Sequence, residues 1–207
     1  MTSQAGSPVI AYIDGFNLYY GLKSKGWSRY LWLDLTALLG SLLRPYQQLV
    51  EVKYCTARVS SPRGSVQRQT LYIEALSATG VTVIEGKFQQ RDGHCHSCGN
   101  TWPDFEEKQT DVNLAVEMLT DAHLNRYETA VLVSGDSDLA PAVTAVRGLH
   151  PGKSVVVAFP PGRQSDVLKK TASTAFGIGR AKIANAQLAP IVTTPTGRKL
   201  RRPTKWS

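Results

Sequence analysis

The hydrophobic positions predict short apolar strands that alternate with amphipathic helices. Three runs, residues 9–13 (VIAYI), 130–134 (AVLVS) and 154–159 (SVVVAF), lack polar alternation, as in parallel strands buried on both faces. Further strands are predicted at residues 49–59 and 81–86. Helices are predicted at residues 18–25, 34–43, 65–78, 108–123, 139–148 and 166–173. This alternation is typical of an α/β fold, in which helices cover both faces of a parallel sheet.

Two carboxylates follow the strand predicted at residues 130–134. Gly135 ends the apolar run, Asp136 and Asp138 come next, and an apolar helical pattern begins at Leu139. In open α/β sheets, ligands bind at the edge formed by the carboxyl ends of the strands, so both acids are candidate site residues. In an alternative interpretation, one of them only caps the following helix.

A third carboxylate follows the first predicted strand in the same way. Residues 9–13 lead directly into Asp14, and Asn17 comes within one turn of it. Because parallel strands point the same way, Asp14 is expected on the same edge as Asp136 and Asp138. An Asp-Gly pair after a single strand is more often a turn, but here acids follow two separate strands.

A fourth acid lies at the start of the helix predicted at residues 108–123. Thr110 is the expected N-cap, which places Asp111 in the first turn. The face expected to contact the sheet consists of Val112, Val116 and Leu119. The neighbouring row consists of Asp111, Ala115 and Met118. A carboxylate that flanks a buried face is costly unless a cation meets it, which makes Asp111 another candidate ligand.

Three stretches, VIAYIDGFNLYYGL, EKQTDVNLAVEML and AVLVSGDSDLAPAV, resemble in order and spacing the NYN domain family, relatives of the PIN-like nucleases. The resemblance runs from about residue 8 to about residue 188. It implies a Rossmann-like three-layer sandwich with a mostly parallel central sheet. It also implies ribonuclease activity on RNA at an acidic, metal-binding site. Carried onto this chain, the site residues are Asp14, Asp111, Asp136 and Asp138, with Asn17 as a polar neighbour.

The leading hypothesis is a metal-dependent ribonuclease: the residues support the metal site, and the resemblance implies the RNA substrate. Carboxylate oxygens suit Mg²⁺ or Mn²⁺, and paired ions about 4 Å apart can activate water and stabilise a leaving oxygen. Two alternatives stay open: a non-catalytic RNA-binding or regulatory module with the same fold, and a phosphoester hydrolase of another class. A dinucleotide-binding Rossmann domain is disfavoured because no G-x-G-x-x-G motif follows the first strand.

Composition and charge add expectations about partners and location. The 207 residues suffice for one domain, expected at residues 1–192, and a formal charge of +8 with a pI near 9.5 favours a polyanionic partner. No 18-residue apolar run and no charged, apolar leader occur, so we expect no membrane span and a cytoplasmic protein. The sequence leaves the oligomeric state open, a homodimer included.

Residues 193–207 are expected to form a basic, flexible tail. Its basic residues are Arg198, Lys199, Arg201, Arg202 and Lys205. They are candidate ligands of an RNA backbone, with Trp206 available to stack on a base. The alternative is a solvated end without a binding role.

A segment with cysteine and histidine, residues 89–103, is expected to interrupt the domain as an insertion without regular structure. A structural zinc ion is predicted on its Cys-x-x-Cys pair together with nearby histidines. The candidate ligands are His94, Cys95, His96 and Cys98. A further ligand from the same chain would be distant, such as His123 or His150; a site shared between two chains and free thiols without metal are the alternatives. Cys55 lies in an apolar strand and is expected in the core.

Overall fold

The structure is a computed structural model that describes residues 6–94 and 97–207, with only the backbone described for residues 88–94 and 102–107. The strands are β1 (Ser7–Asp14), β2 (Gln47–Ala57), β3 (Thr82–His94), β4 (Thr101–Lys108), β5 (Thr129–Val133), β6 (Ser154–Phe159), β7 (Thr174–Gly177), β8 (Ile191–Thr193) and β9 (Lys199–Arg201). The helices are α1 (Gly15–Ser24), α2 (Leu35–Gly40), α3 (Arg63–Ala78), α4 (Thr110–His123), α5 (Ala140–Leu149), α6 (Asp166–Thr171) and α7 (Arg180–Asn185). Short 3₁₀ turns occur at Ser28–Tyr30, Ser137–Leu139 and Thr204–Trp206. None of the described helices combines the length and the apolar run that crossing a membrane would need.

The larger sheet has the strand order β4-β3-β2-β1-β5-β6-β7. Neighbouring strands from β3 across to β7 run parallel, and β4 pairs antiparallel with β3 at one edge. Helices cover both faces of this sheet, which confirms the expected α/β three-layer sandwich with a mostly parallel sheet. The strand order reverses between β1 and β5, and ligand sites in such folds lie at that point.

β1 lies between two hydrophobic cores, one on each face of the sheet. Val9, Ala11 and Ile13 contribute to the first core, which also holds residues of α1, α2 and α3. Ile10 and Tyr12 contribute to the second core, which holds residues of α4, α5 and α6. This alternation follows from the two-residue period of a strand, and burial on both sides explains the unbroken apolar run in the sequence.

The face of α4 that contacts the sheet differs from the predicted one. Val112 and Val116, predicted to face the sheet, are 62% and 53% exposed, whereas Leu114 and Met118 are fully buried. Leu119, the third residue predicted on that face, is partly buried against the second core. The prediction is wrong for the two valines because more than one row of this helix has the spacing of an apolar face, and periodicity alone does not choose between them. The buried row meets the sheet with ionic as well as apolar partners.

An ion pair anchors α4 to the sheet. Lys53 of β2 and Asp121 of α4 are both buried, and Lys53 Nζ lies 2.5 Å from Asp121 Oδ2. The Tyr12 hydroxyl donates to the same oxygen at 2.6 Å, and Arg126 donates to the other oxygen at 2.8 Å. Burial alone would raise the pKa of Asp121, but the bonds from Lys53 and Tyr12 hold it below its ordinary value. This network holds α4, whose first turn carries Asp111, against the sheet.

The segment expected as an irregular insertion, residues 89–103, is for the most part an antiparallel hairpin. β3 continues well beyond the strand predicted at residues 81–86, and it pairs with β4 from Lys87 opposite Lys108 to His94 opposite Thr101. The expectation of a loop without regular structure is therefore wrong. Pairing of the two arms satisfies their backbone hydrogen bonds, which an irregular loop of this length would have to leave to water.

The C-terminal residues are packed, so the expectation of a flexible tail at 193–207 is wrong. β8 and β9 form a small antiparallel hairpin, and Leu200 and Trp206 are buried in the first core. Trp206, expected to stack on a base, is 6% exposed and lies edge-to-face against Tyr72, with ring centroids 5.9 Å apart. Burial of these apolar side chains orders the segment while its charged groups stay at the surface.

Candidate active site

Asp14 ends β1 and caps α1. Its Oδ1 accepts a hydrogen bond from the Asn17 backbone N–H at 2.9 Å, which satisfies one of the free N–H groups of the first helical turn. Its Oδ2 accepts a hydrogen bond from the Ser134 hydroxyl at 2.9 Å. Asp14 is 5% exposed, and these two bonds hold its carboxylate at the carboxyl end of the central strand.

Hydrogen bonds join the loop after β1 to the loop after β5. The side-chain oxygen of Asn17 accepts from the Gly135 N–H at 2.9 Å. The Asp136 N–H donates to the Ser134 hydroxyl oxygen at 3.0 Å, and the same hydroxyl donates to Asp14. The two acid-bearing loops are thus in direct contact, and Asn17 is part of that contact.

Asp136 and Asp138 differ in their local roles. Asp136 Oδ1 accepts from the Asp138 backbone N–H at 3.0 Å, so Asp136 caps the 3₁₀ turn Ser137–Leu139. Asp138 lies within that turn and is exposed. Capping therefore accounts for Asp136 but leaves Asp138 without a capping role.

Asp111 reaches the same edge of the sheet from α4. Thr110, predicted as the N-cap, is instead the first residue of the helix, and Gln109 precedes it with a φ of +75°. This left-handed conformation, which costs about 1–2 kcal/mol for a residue with a Cβ, turns the chain from β4 into α4. α4 packs against the turn that carries Asp138, and the charge of Asp138 acts on Asp111.

The four carboxylates influence each other electrostatically. The pKa of Asp14 is raised to about 6 by burial, with the charges of Asp111 and Asp136 adding to the rise and two hydrogen bonds opposing it. Burial and the charges of Asp136 and Asp138 raise the pKa of Asp111. A bound cation relieves mutual repulsion of this kind, so the acidic cluster of Asp14, Asp111, Asp136 and Asp138 is suited to a positive ion.

The chemistry of the acidic cluster fits a hard divalent cation. Its ligating atoms are oxygens, the donors that Mg²⁺ and Mn²⁺ prefer. Among the described residues, no three Asp, Glu, His or Cys side chains lie close enough together to hold a metal ion on their own. Mg²⁺ is commonly held by one or two carboxylates, with water and substrate phosphates as its other ligands, so a pair of these acids suffices.

Two residues at this edge are not among the predicted site residues. Ser134 is fully buried and links Asp14 to Asp136. Arg163 follows β6, and a Cβ atom on Gly135 would lie only 2.9 Å from its Cβ, so glycine is required for the two loops to touch. Arg163 is exposed, and its backbone and Cβ lie against Gly135, next to Asp136 in sequence. The rule that located the acids, that residues after parallel strands share one edge, applies equally to Arg163.

Two of the four predicted zinc ligands belong to the described residues. His94 is the last residue of β3, and Cys98 is exposed with a free thiol. Cys95 and His96 lie outside the described residues. The zinc site therefore stays a prediction. Cys55 is buried, as expected, and burial raises the pKa of its thiol to about 12.

The basic C-terminal residues lie in two kinds of surroundings. Arg198 pairs with Glu74 at 3.0 Å, and Arg202 donates to the backbone carbonyl groups of Arg29 and Trp206. The exposed members of the set that form no ion pair within the described part of the chain are Lys199, Arg201 and Lys205. RNA binding by this set stays a prediction, and these exposed residues are the ones free to make such contacts.

The fold and the acidic cluster together define a class of protein: a parallel α/β domain that gathers acids at the switch point of its sheet, where such folds bind ligands. The chain belongs to the NYN domain family, whose profile matches residues 8–178. This match confirms the resemblance seen in the sequence.

Several known proteins are similar to this chain. It is 28% identical to 6-hydroxy-3-succinoylpyridine 3-monooxygenase HspA from Pseudomonas putida, over 94% of this chain and 74% of the relative. It is 27% identical to low amplitude and bright protein LabA from Synechococcus elongatus, over 72% of this chain and 73% of the relative. A crystal structure of a Vibrio parahaemolyticus protein of unknown function matches with a TM-score of 0.57 and 23% identity, covering 87% of this chain and 98% of that one. This last comparison supports the fold alone.

Proposed function

We propose that this chain is a divalent-metal-dependent ribonuclease that cleaves RNA phosphodiester bonds at the acidic cluster. The observation that carries the proposal is the hydrogen bonding between the loops that carry Asp14 and Asp136, together with the packing of α4, which carries Asp111, against the turn that carries Asp138. The mutual influence of these charges on the pKa values of Asp14 and Asp111 agrees with it. Membership of the NYN family, which is associated with nucleases, supports the proposal. A net charge of +8 supports a polyanionic substrate.

The chain contributes orientation and charge to this reaction. A pair of carboxylates among Asp14, Asp111, Asp136 and Asp138 would hold Mg²⁺ or Mn²⁺, with water and substrate oxygens as further ligands. The ion when bound would supply an activated water and neutralise charge on the leaving oxygen. The Ser134 hydroxyl and the Asn17 N–H keep the Asp14 carboxylate in one orientation. Arg163 offers a guanidinium to a substrate phosphate.

The direct test is incubation of purified protein with single-stranded and structured RNA in Mn²⁺, Mg²⁺ or EDTA. We expect cleavage with either ion and none with EDTA. Asp136→Asn should lower kcat by about 10²-fold or more, because the amide still accepts the Asp138 N–H bond but carries no charge for a cation. Its melting temperature in EDTA should stay close to that of the wild type.

Glu128→Gln is the matched control for the loss of one negative charge. Glu128 is exposed and directly precedes the amino end of β5, at the opposite edge of the sheet, so its cleavage rate should equal that of the wild type. Full cleavage by Asp136→Asn at limiting metal would contradict the assigned site. RNA binding without cleavage in every metal would identify the non-catalytic alternative instead.

A second candidate function is oxidation of a hydroxypyridine. The similarity to the Pseudomonas monooxygenase favours it, because that similarity extends over 94% of this chain. The test is incubation with 6-hydroxy-3-succinoylpyridine, oxygen and a reductant, followed by mass spectrometry for loss of the substrate and for a pyridine product that carries an oxygen atom from O₂. Turnover there, with intact RNA in the cleavage assay, would replace the ribonuclease proposal.

A further inference from the structure

An aromatic cavity of about 210 Å³ lies next to the acidic cluster. Residues of α1, β2, α3 and the C-terminal 3₁₀ turn line it. The aromatic members of its lining are Phe16, Tyr19, Tyr20, Tyr54, Tyr72 and Trp206. Pockets for drug-sized ligands measure roughly 300–1,000 Å³, so this smaller cavity suits a single planar ring system.

The cavity and the acidic cluster share a stretch of backbone. Gly15 lines the cavity and directly follows Asp14. A Cβ atom on Gly15 would lie 2.6 Å from Tyr54 Cζ, so only glycine lets the start of α1 approach this ring. A ring bound in the cavity would therefore lie close to a substrate bond held at the acidic cluster.

Phe16 and Tyr20 form a stacking surface at the cavity. Their ring centroids are 6.0 Å apart and the ring planes differ by 23°. Tyr20 is 47% exposed, so its ring is open to a ligand. Nucleobases of any sequence stack on such rings, because every base has a π face.

Basic side chains line the cavity and the depression beside it. Lys23 Nζ lies 5.3 Å from the centroid of the Tyr19 ring, and Arg68 donates to the Ser65 hydroxyl at 3.1 Å. Arg68 also lines a neighbouring depression together with Lys205. Within the described residues, none of these three cations forms an ion pair with a carboxylate. They are therefore available to anionic groups of a bound ligand.

We propose that this cavity binds a nucleobase of the RNA strand, beside the phosphodiester bond that the acidic cluster cleaves. The base stacks on Phe16 and Tyr20, and Lys23 and Arg68 contact the flanking phosphates. An aromatic wall bordered by unpaired cations matches what a nucleotide presents, a planar ring next to a negative charge. The identity of the strand rests on the proposed function, but occupation of the cavity can be measured without any cleavage.

The test is calorimetric titration of the metal-free protein with AMP, UMP and ribose 5-phosphate. Both nucleotides should bind about tenfold or more tightly than ribose 5-phosphate, which has the phosphate but no base. Tyr20→Ala should lower nucleotide affinity about tenfold and leave ribose 5-phosphate affinity unchanged, whereas Tyr20→Phe should bind like the wild type. Tyr46→Ala is the matched control, because Tyr46 is an exposed tyrosine just before the amino end of β2 and should have no effect.

Equal affinities for nucleotides and ribose 5-phosphate, or unchanged nucleotide binding in Tyr20→Ala, would overturn the inference. Tighter binding of 6-hydroxy-3-succinoylpyridine than of either nucleotide would overturn it too. The two proposals fail separately. Nucleotide binding by a protein that cuts no RNA would contradict the ribonuclease proposal alone, and RNA cleavage by a protein without base-dependent binding would contradict the cavity proposal alone.

Discussion

The hydrogen bonds of Asp14 and its burial have opposite effects on the charge of its carboxylate. Its carboxylate caps α1 and accepts the Ser134 hydroxyl, contacts that favour the charged form. Burial and the neighbouring acids disfavour that form and prevail, since the pKa of Asp14 is raised to about 6. At neutral pH the folded protein therefore holds a charge that costs stability, as functional sites often do.

Replacement of Asp14 by Asn should stabilise the metal-free protein at neutral pH. The folded pKa of about 6 exceeds the ordinary value of 3.8, so the folded state binds this proton more tightly than the unfolded state. The free energy of unfolding of the wild type therefore falls as the pH rises from about 4 to about 6, and it remains at the lower value above that pH. Asparagine does not ionise, so the variant does not lose this stability. Thermal unfolding should be measured in EDTA at about pH 4, 6 and 8. The melting temperature of Asp14→Asn should equal that of the wild type at the lowest pH and exceed it by the largest amount at the highest.

Mg²⁺ supplies the control for this prediction. The ion binds the ionised carboxylate, so Mg²⁺ should raise the melting temperature of the wild type more than that of Asp14→Asn. A variant less stable than the wild type at pH 8 in EDTA would show that the Ser134 and Asn17 bonds outweigh the cost of the buried charge.

At the scale of elements, α4 is the part that brings a separate segment of the chain to the site. Its start carries Asp111, and its later turns are held to the sheet by Leu114, Met118 and the pair between Asp121 and Lys53. The valines of the opposite row face solvent. The position of Asp111 therefore depends on contacts made well along the helix.

The two rows of α4 should respond differently to truncation. Met118→Ala should lower the free energy of unfolding by about 2–5 kcal/mol, because it leaves a cavity in the second core. Val116→Ala should change it by less than about 0.5 kcal/mol, because that side chain is half-exposed. Urea unfolding of both variants is the measurement. An equally large loss in Val116→Ala would show that the exposed row is covered in solution, as in a homodimer.

At the scale of the whole molecule, the C-terminal segment closes the first core and places basic residues on the surface. Trp206 packs against Trp32 and Tyr72, which lie far from it in sequence. Lys199 and Arg201 flank the buried Leu200 and face solvent. Deletion of residues 194–207 would disturb the core, so point variants are needed to test the role of these charges in binding.

The combined substitution of Lys199, Arg201 and Lys205 by alanine should weaken RNA binding and flatten its salt dependence. Each lost phosphate contact should reduce the slope of log K against log salt by about 0.7 on a single strand. The melting temperature should change little, because all three side chains are exposed. Fluorescence anisotropy with a labelled single-stranded RNA at several salt concentrations is the measurement. Arg44→Ala, an exposed residue before the amino end of β2, is the control, and an unchanged slope in the combined variant would show that the segment has no binding role.

The sequence by itself determined the alternation of strands and helices and the edge on which the acids lie. Apolar runs and helical periodicity are local signals, and the rule that parallel strands end at one edge needs no coordinates. That rule sufficed to place Asp14 and Asp136 together, because Asp14 ends one buried parallel strand and Asp136 lies in the loop that follows the neighbouring one.

Only the tertiary structure decided which row of α4 is buried, that residues 89–103 are largely a hairpin, and that the C-terminal end is packed. The hairpin pairs neighbouring segments, but its arms are rich in polar residues and lack the apolar alternation that marks a strand in the sequence. For α4 and the C-terminal end the deciding partner is distant in sequence: Lys53 for Asp121, and Trp32 and Tyr72 for Trp206. The aromatic cavity has the same origin, since its walls come from both ends of the chain. Local sequence patterns identify the residues that could be buried. The free energy gained by burial depends on the apolar area that each residue covers in the folded protein, which other segments of the chain provide.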